Sequence, residues 1–292
     1  MLNAVAILLL SGLIGGLEQS GAARPPAVAV SSEGPPGPPS PAMGRSEGSP
    51  GLPRPETTGR TEILVAAAVS LKEVLDEAAA RFEMERPDVG VALDFAASGI
   101  LLKQIEQGAP VDLFISASAS EIDHLEKEGL IAAGSRKTLA SNSLVAIVPT
   151  GSVPPASLAR LAENRFDRIA VGNPSTVPAG RYAREALASL GLLETLRPRF
   201  VFGESVRQVL EYVARGEASA GLVYGSDART AEGRIVLGAK APPESHSPIL
   251  YQSAIPSAAP HAAIVNEFLE FLLSGGAQRL FLSHGFLPPP AR

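Results

Sequence analysis

The chain has 292 residues, 45% of them hydrophobic, with a formal net charge of -5 and no cysteine. This length and hydrophobic content allow a large buried core in one unit or two lobes. The absence of cysteine excludes disulfides, thiolate nucleophiles and cysteine-ligated metals, and the negative charge disfavours nucleic acid, whose binding normally begins with a basic patch.

Residues 1–23 predict a signal peptide. An apolar core around Ala4–Leu10 has the length of a secretory signal and is too short for a membrane span. No Lys or Arg precedes this core, which makes the signal atypical, and Ser20–Ala23 supplies small residues for cleavage. The pattern predicts export to the periplasm or another extracytoplasmic location.

Residues 24–60 are dominated by Pro, Gly and Ser, with ten prolines from Pro25 to Pro55. Such a segment cannot bury enough apolar surface to fold, so it is predicted to be a semi-extended linker. The folded body should begin near Thr61.

The body alternates predicted strands with predicted helices, which indicates an α/β fold with mainly parallel sheets flanked by helices. Apolar runs predict strands at 62–68, 89–96, 111–116, 144–149, 169–171, 199–201, 221–224 and near 253–255. Helical spacing of apolar residues predicts helices at 71–82, around 101–105 and 122–125, and at 182–190, 206–213 and 264–273.

The strand at 144–149 starts what is predicted to be a second α/β unit, and the last strand should return to the first. This organisation predicts a discontinuous lobe 1 (61–141 and 248–292) and a lobe 2 (142–247). The two linking segments would act as a hinge, placed near 140–143 and between 241 and 251.

Two serines stand at predicted strand-to-helix junctions in the first half of the body. Ser70 with Glu73 matches a capping box, Ser-x-x-Glu, and Ser98 precedes Gly99, which permits a close backbone approach. Each serine is also explained as an ordinary helix cap. The functional alternative is that both hydroxyls donate to a ligand.

Three further donors follow the same pattern in the second half. Pro178 should start a helix in which Ala179 offers its amide, and Ser205 should cap a helix that exposes the amide of Val206. Tyr224 ends a strand, where its hydroxyl would be a fifth donor or a satisfied core hydroxyl. Helix N-termini bind anions through unpaired amides, so together these junctions predict a site for a small dianion.

Seven short motifs, in this order, resemble the periplasmic molybdate-binding proteins of bacterial ABC transporters, a family of class II periplasmic binding proteins. The motifs are Ala-Ala-Ala-Val-Ser-Leu, Phe-Ala-Ala-Ser-Gly, Pro-Val-Asp-Leu-Phe-Ile-Ser-Ala, Ser-Asn-Ser-Leu-Val, Val-Pro-Ala-Gly-Arg-Tyr-Ala, Glu-Ser-Val-Arg and Leu-Val-Tyr-Gly-Ser-Asp-Ala. The resemblance covers the chain from about Thr61 to its C-terminus. It implies a two-lobed fold with the ligand cleft between the lobes.

The resemblance also implies a ligand and its binding groups. Molybdate or tungstate would be held by two serines, two backbone amides and a tyrosine, which correspond by motif to Ser70, Ser98, Ala179, Val206 and Tyr224. Molybdenum would be present only as this oxyanion, without another cofactor. The implied partner is the membrane permease of an ABC importer, and the protein is expected to be a monomer. Two departures from the family pattern are the inserted Val69 and the residues Ala97 and Gly99, which stand where the family often has further serines.

A site built only of donors suits molybdate and tungstate, because both are fully deprotonated dianions at neutral pH. Phosphate keeps a proton near neutrality and would require an acceptor. Sulfate has the same charge and shape, so its rejection would depend on cavity size.

Three other functions remain as alternatives. An enzyme could use Ser70, Ser98 or Ser116 as nucleophile, but no Gly-x-Ser-x-Gly motif is present and the four histidines lie outside the motifs. A transcription regulator would need a helix-turn-helix and a basic surface. A related binding protein for sulfate, phosphate or an organic anion could use Arg181 or Arg207, and this is the principal alternative.

Overall fold

The structure is a computed structural model that describes residues 59–290. The predicted signal peptide (1–23) and all but the last two residues of the predicted linker (24–60) lie outside the described residues. Across 59–290, no helix is long and apolar enough to cross a membrane.

Within residues 59–290 the chain forms ten strands and nine α-helices. The strands are β1 Thr61–Ala68, β2 Val89–Ala96, β3 Leu113–Ser116, β4 Lys137–Ser141, β5 Leu144–Pro149, β6 Ile169–Gly172, β7 Phe200–Gly203, β8 Ala220–Tyr224, β9 Ile235–Lys240 and β10 Leu250–Ala254. The helices are α1 Lys72–Glu85, α2 Ser98–Glu106, α3 Ala119–Lys127, α4 Pro178–Ser189, α5 Leu193–Leu196, α6 Val206–Ala214, α7 Gly225–Thr230, α8 Ala262–Leu273 and α9 Gly275–Ser283.

The strands form two five-stranded sheets. The first has the order β2-β1-β3-β10-β4 and the second has the order β7-β6-β8-β5-β9. In each sheet four strands point the same way, and one strand, β10 or β5, runs antiparallel to both of its neighbours. The predicted α/β class with mainly parallel sheets is confirmed.

The chain passes between the sheets twice. Residues 142–143 connect β4 to β5, and residues 241–249 connect β9 back to β10. The lobe limits 61–141, 142–247 and 248–292, and the hinge positions, stay predictions.

Burial of β1 explains why its sequence is almost continuously apolar. All of its last four residues are buried, as expected for a strand with helices on both faces of its sheet. On one face of the sheet, α1 buries the apolar residues whose helical spacing predicted it. Its Phe82 packs edge-on against Phe268 of α8, with ring centroids 5.0 Å apart. The strand ends and the helix N-termini that follow them are thereby fixed in position.

Candidate functional site

All five predicted donor residues line one cavity. Among residues 59–290, no charged side chain lines it, and the other lining residues are small or apolar: Ala68, Val69, Ala96, Ala97, Ala117, Val177 and Pro178. Ser70, Ser98 and Ala179 are at most 3% exposed. The structure therefore brings together residues that are separated by as many as 154 positions, from Ser70 to Tyr224.

Ser70 is placed differently from the prediction. The capping box with Glu73 is wrong: Val69–Leu71 forms a short 3-10 turn, Leu71 occupies the N-cap position of α1, and no side chain caps the helix there. The Ser70 hydroxyl lies instead 2.9 Å from the hydroxyl of Tyr251. It is thus available for a role other than capping.

Ser98 is the first residue of α2, two positions after the end of β2, and its hydroxyl serves within the protein as a hydrogen-bond acceptor. Its Oγ accepts a hydrogen bond of 3.0 Å from the amide of Ala117. Since a serine hydroxyl has one proton in addition to its acceptor sites, that proton is left for a ligand. The adjoining Gly99 donates its amide to the Thr176 carbonyl at 3.0 Å, where a Cβ would lie 2.7 Å from the same oxygen.

The two predicted amides stand in the first turns of α4 and α6. Pro178 is the first residue of α4 and Ala179 the second, while Val206 is the first residue of α6. Ser205 caps α6 by accepting from the Gln208 amide at 3.2 Å, as predicted. First-turn amides have no carbonyl partner within their helix, so the amides of Ala179 and Val206 are donors at the cavity.

Tyr224 provides the clearest sign of a ligand. Its side chain is 1% exposed, and its hydroxyl has no hydrogen-bond partner among residues 59–290. Burial raises the pKa of Tyr224 well above its ordinary value, so the hydroxyl keeps its proton. An unsatisfied buried hydroxyl costs about 1–3 kcal/mol, which a bound acceptor would return.

The two arginines that follow the amide donors are paired with carboxylates. Arg181 forms an ion pair with the buried Glu121. Arg207 contacts Glu73, with Nη1 2.9 Å from Oε1, and its Nε lies 2.6 Å from Asp227 Oδ1. Neither arginine lines the cavity, which argues against the alternative in which one of them binds the anion.

The buried carboxyl of Asp227 makes the free energy of unfolding depend on pH. Burial raises the pKa of its carboxyl from 3.8 to about 7, against the opposing charge of Arg207. Between about pH 4 and about pH 7, the Asp227 carboxyl is protonated in the folded protein and deprotonated in the unfolded chain. The contribution of this proton to the free energy of unfolding is therefore complete below about pH 4 and is lost as the pH rises to about 7.

We expect the free energy of unfolding of the wild type to fall relative to that of Asp227→Asn over this window. Urea unfolding of both proteins, at intervals from about pH 5 to about pH 8, measures this difference. A free energy of unfolding of the wild type that rises with pH relative to that of Asp227→Asn would contradict the assignment.

Two further residues, Tyr251 and Asn142, form hydrogen bonds next to the cavity, and neither was predicted from the sequence to do so. Tyr251 contacts Ser70, and Asn142 Nδ2 lies 3.3 Å from the Tyr251 hydroxyl. Asn142 belongs to the motif Ser-Asn-Ser-Leu-Val, so a signal was present at that position. Tyr251 is in a strand with no marked motif, and only the fold reveals its position.

The features required by the enzyme alternative do not meet at this cavity. None of the four histidines lines it. His124, His261 and His284 each pair with a carboxylate elsewhere. Across 59–290, no group of three His, Asp or Glu residues could hold a metal ion.

Comparisons with known proteins agree with this geometry. Residues 63–287 match the family described as bacterial extracellular solute-binding protein. The molybdate-binding protein ModA of Escherichia coli is 39% identical over 230 residues, covering 77% of this chain and 88% of that protein.

Solved structures give the same result. The periplasmic molybdate-binding protein of Azotobacter vinelandii matches with a TM-score of 0.70 and 28% identity, over 78% of this chain and 100% of that one. The sulfate-binding protein SubI of Mycobacterium tuberculosis has a TM-score of 0.68 at 17% identity, over 78% of this chain and 87% of that one, and shows the fold alone. The two-lobed periplasmic binding protein fold is confirmed, and the chain belongs to the family of bacterial extracellular solute-binding proteins that includes the molybdate-binding protein ModA.

Proposed function

We propose that this protein captures molybdate, and also tungstate, outside the cytoplasm and delivers it to the permease of an ABC importer. The observation that carries the proposal is a buried cavity that, within residues 59–290, is lined by hydrogen-bond donors and by no charged side chain. The donors are the hydroxyls of Ser70, Ser98 and Tyr224 and the amides of Ala179 and Val206. The molybdate-binding relatives support the choice of ligand.

The hydrogen-bonding directions favour an anion without a proton. The Ser98 Oγ already accepts from the Ala117 amide, and the Tyr224 hydroxyl has no acceptor among residues 59–290. Every group that faces the ligand can therefore donate, and hydrogen phosphate would bring a proton that either stays unpaired or takes a hydroxyl of the site away from donating. Leaving such a polar group unpaired in a buried site costs about 1–3 kcal/mol.

Closure of the two lobes would enclose the ion. Arg181 and Glu121, and likewise Arg207 and Glu73, join residues from the predicted lobes 142–247 and 61–141. These ion pairs would form as the lobes meet around the ligand and would help to hold the closed form that a permease recognises. In this proposal the protein is a monomeric binding protein without catalytic activity or a cofactor, exported by the segment 1–23.

Calorimetric titration of the purified protein with molybdate, tungstate, sulfate and phosphate tests the proposal. We expect tight binding of molybdate and tungstate, weaker binding of sulfate and the weakest binding of phosphate. Ser98→Ala should lose about tenfold or more in molybdate affinity, because it removes a hydrogen bond to a charged ligand. Ser257→Ala, at a serine outside the cavity, is the matched control and should bind as the wild type does.

Two results would overturn this function. Preferential binding of sulfate or phosphate would replace molybdate by another anion, as in the alternative raised from the sequence. A folded protein that binds none of the four anions would show that the cavity serves a different solute.

A further inference from the structure

The hydroxyl of Ser70 is the end of a buried chain of hydrogen bonds that starts in one crossing segment, at Asn142, and passes through Tyr251, just after the other. Asn142 lies between β4 and β5, and Tyr251 is the second residue of β10, just after the return crossing. Tyr251 Oη is 2.9 Å from Ser70 Oγ and 3.3 Å from Asn142 Nδ2. Tyr251 is 0% exposed and Asn142 is 8% exposed, so water does not compete for these bonds.

The orientation of the Asn142 amide is fixed by its neighbours. Its Oδ1 accepts from the backbone amides of Ser143 at 2.9 Å and Ser226 at 3.5 Å. The opposite orientation would place its NH₂ group against those two donors. The Nδ2 group must therefore face the Ser226 hydroxyl, at 2.8 Å, and Tyr251.

The direction of the remaining bonds follows from this orientation. Tyr251 Oη accepts from Asn142, and its one proton has Ser70 Oγ as its acceptor. Burial raises the pKa of Tyr251 well above its ordinary value, so that proton is retained. Ser70 then accepts from Tyr251, and its own proton is left to point into the cavity.

We propose that Tyr251, oriented by Asn142, is a positioning residue that commits the Ser70 hydroxyl to donate to the ligand and thereby disfavours protonated anions. This inference rests on the proposed function, since it concerns one donor of the same site. Without the Tyr251 hydroxyl, the Ser70 hydroxyl can rotate and accept a hydrogen bond from the hydroxyl of an anion such as hydrogen phosphate. Tyr251 thus acts on anion selectivity through Ser70, without touching the ligand.

A double-mutant cycle with Tyr251→Phe and Ser70→Ala tests the inference, with molybdate and phosphate as the titrated anions. In the wild-type background, Tyr251→Phe should weaken molybdate binding about tenfold and should lower the ratio of molybdate to phosphate affinity by about as much. In the Ser70→Ala background, both effects of Tyr251→Phe should shrink to less than about threefold. In a Ser98→Ala background they should persist in full.

Tyr182→Phe is the matched control. Like Tyr251→Phe, it removes a buried tyrosine hydroxyl near Tyr224, and the ring centroids of Tyr182 and Tyr224 are 6.5 Å apart. The Tyr182 hydroxyl donates to the carbonyls of Ala117 and Pro248 at 3.5 and 3.4 Å, and no hydrogen bond joins it to Ser70 among residues 59–290. Tyr182→Phe should leave the selectivity ratio unchanged. If Tyr251→Phe fails to fold in a thermal unfolding assay, Asn142→Ala interrupts the same chain from its other end and should lower the same ratio.

The outcomes separate the two proposals. Equal losses from Tyr251→Phe with and without Ser70 would mean a merely structural role and would overturn this inference, while the proposed function stands. Undiminished molybdate binding by Ser70→Ala would remove Ser70 from the proposed site and with it the role of Tyr251. Absence of molybdate binding by the wild type would overturn both.

Discussion

Replacing Tyr224 by phenylalanine is expected to weaken molybdate binding about 10- to 100-fold, because a hydrogen bond to a charged ligand contributes about 1.5–3 kcal/mol. The ligand-free protein should be as stable as the wild type or slightly more stable. The tyrosine hydroxyl is buried with no partner among residues 59–290, so its removal breaks no bond in the fold. Calorimetric titration and urea unfolding measure the two quantities.

The control for this variant is Tyr212→Phe, a half-buried tyrosine of α6 that does not line the cavity. It should change neither affinity nor selectivity. An unaltered molybdate affinity in Tyr224→Phe would contradict the role of Tyr224 as a donor. A large loss of stability would mean that its hydroxyl is satisfied within the protein.

Gly180→Ala should lower the free energy of unfolding by about 3 kcal/mol, in the upper part of the range for overpacked sites. Gly180 lies in the first turn of α4, where a Cβ would stand 2.0 Å from the carbonyl oxygen of Gly172 at the end of β6. Backbone atoms cannot move aside as the end of a flexible side chain can, so the first turn of α4 must shift. The adjacent amide of Ala179 would move with it, and molybdate affinity should fall as well.

Gly275→Ala is the matched control, again a glycine in the first turn of a helix. Its Cβ would meet only the end of the flexible Arg279 side chain, at 3.7 Å. Stability should be unchanged or should rise by up to about 1 kcal/mol, because alanine restricts the unfolded chain. If both variants unfold at the wild-type urea concentration, the close approach of Gly180 to Gly172 is not a constraint.

The central strands of both sheets could be predicted from sequence, whereas β4 and β9 could not. Central strands such as β5 are buried on both faces and therefore read as continuous apolar runs. β4 and β9 are edge strands, only partly buried, and their sequences contain lysine and small residues. Their pairing with β10 and β5 is a property of the assembled sheets, which local periodicity does not encode.

In the candidate site, too, a contact between residues close in sequence could be predicted, whereas a contact between distant residues could not. The Ser205 cap was predictable because its partner, Gln208, is three residues away. The Ser70 capping box was wrong because the 3-10 turn that begins at Val69 delays the start of α1. The contact between Ser70 and Tyr251 joins residues 181 positions apart, and no local pattern predicts it.

The uncharged cavity has a kinetic consequence. The chain has a net charge of -5, and both arginines beside the cavity are matched by carboxylates, so only the partial charges of the helix N-termini attract a dianion at the cavity. These partial charges act at short range, so encounter proceeds without long-range electrostatic acceleration, and what distinguishes one anion from another is how long it stays bound. Such a protein discriminates between anions by their residence times, because its hydrogen bonds to the ion form only after the water around the ion has been removed.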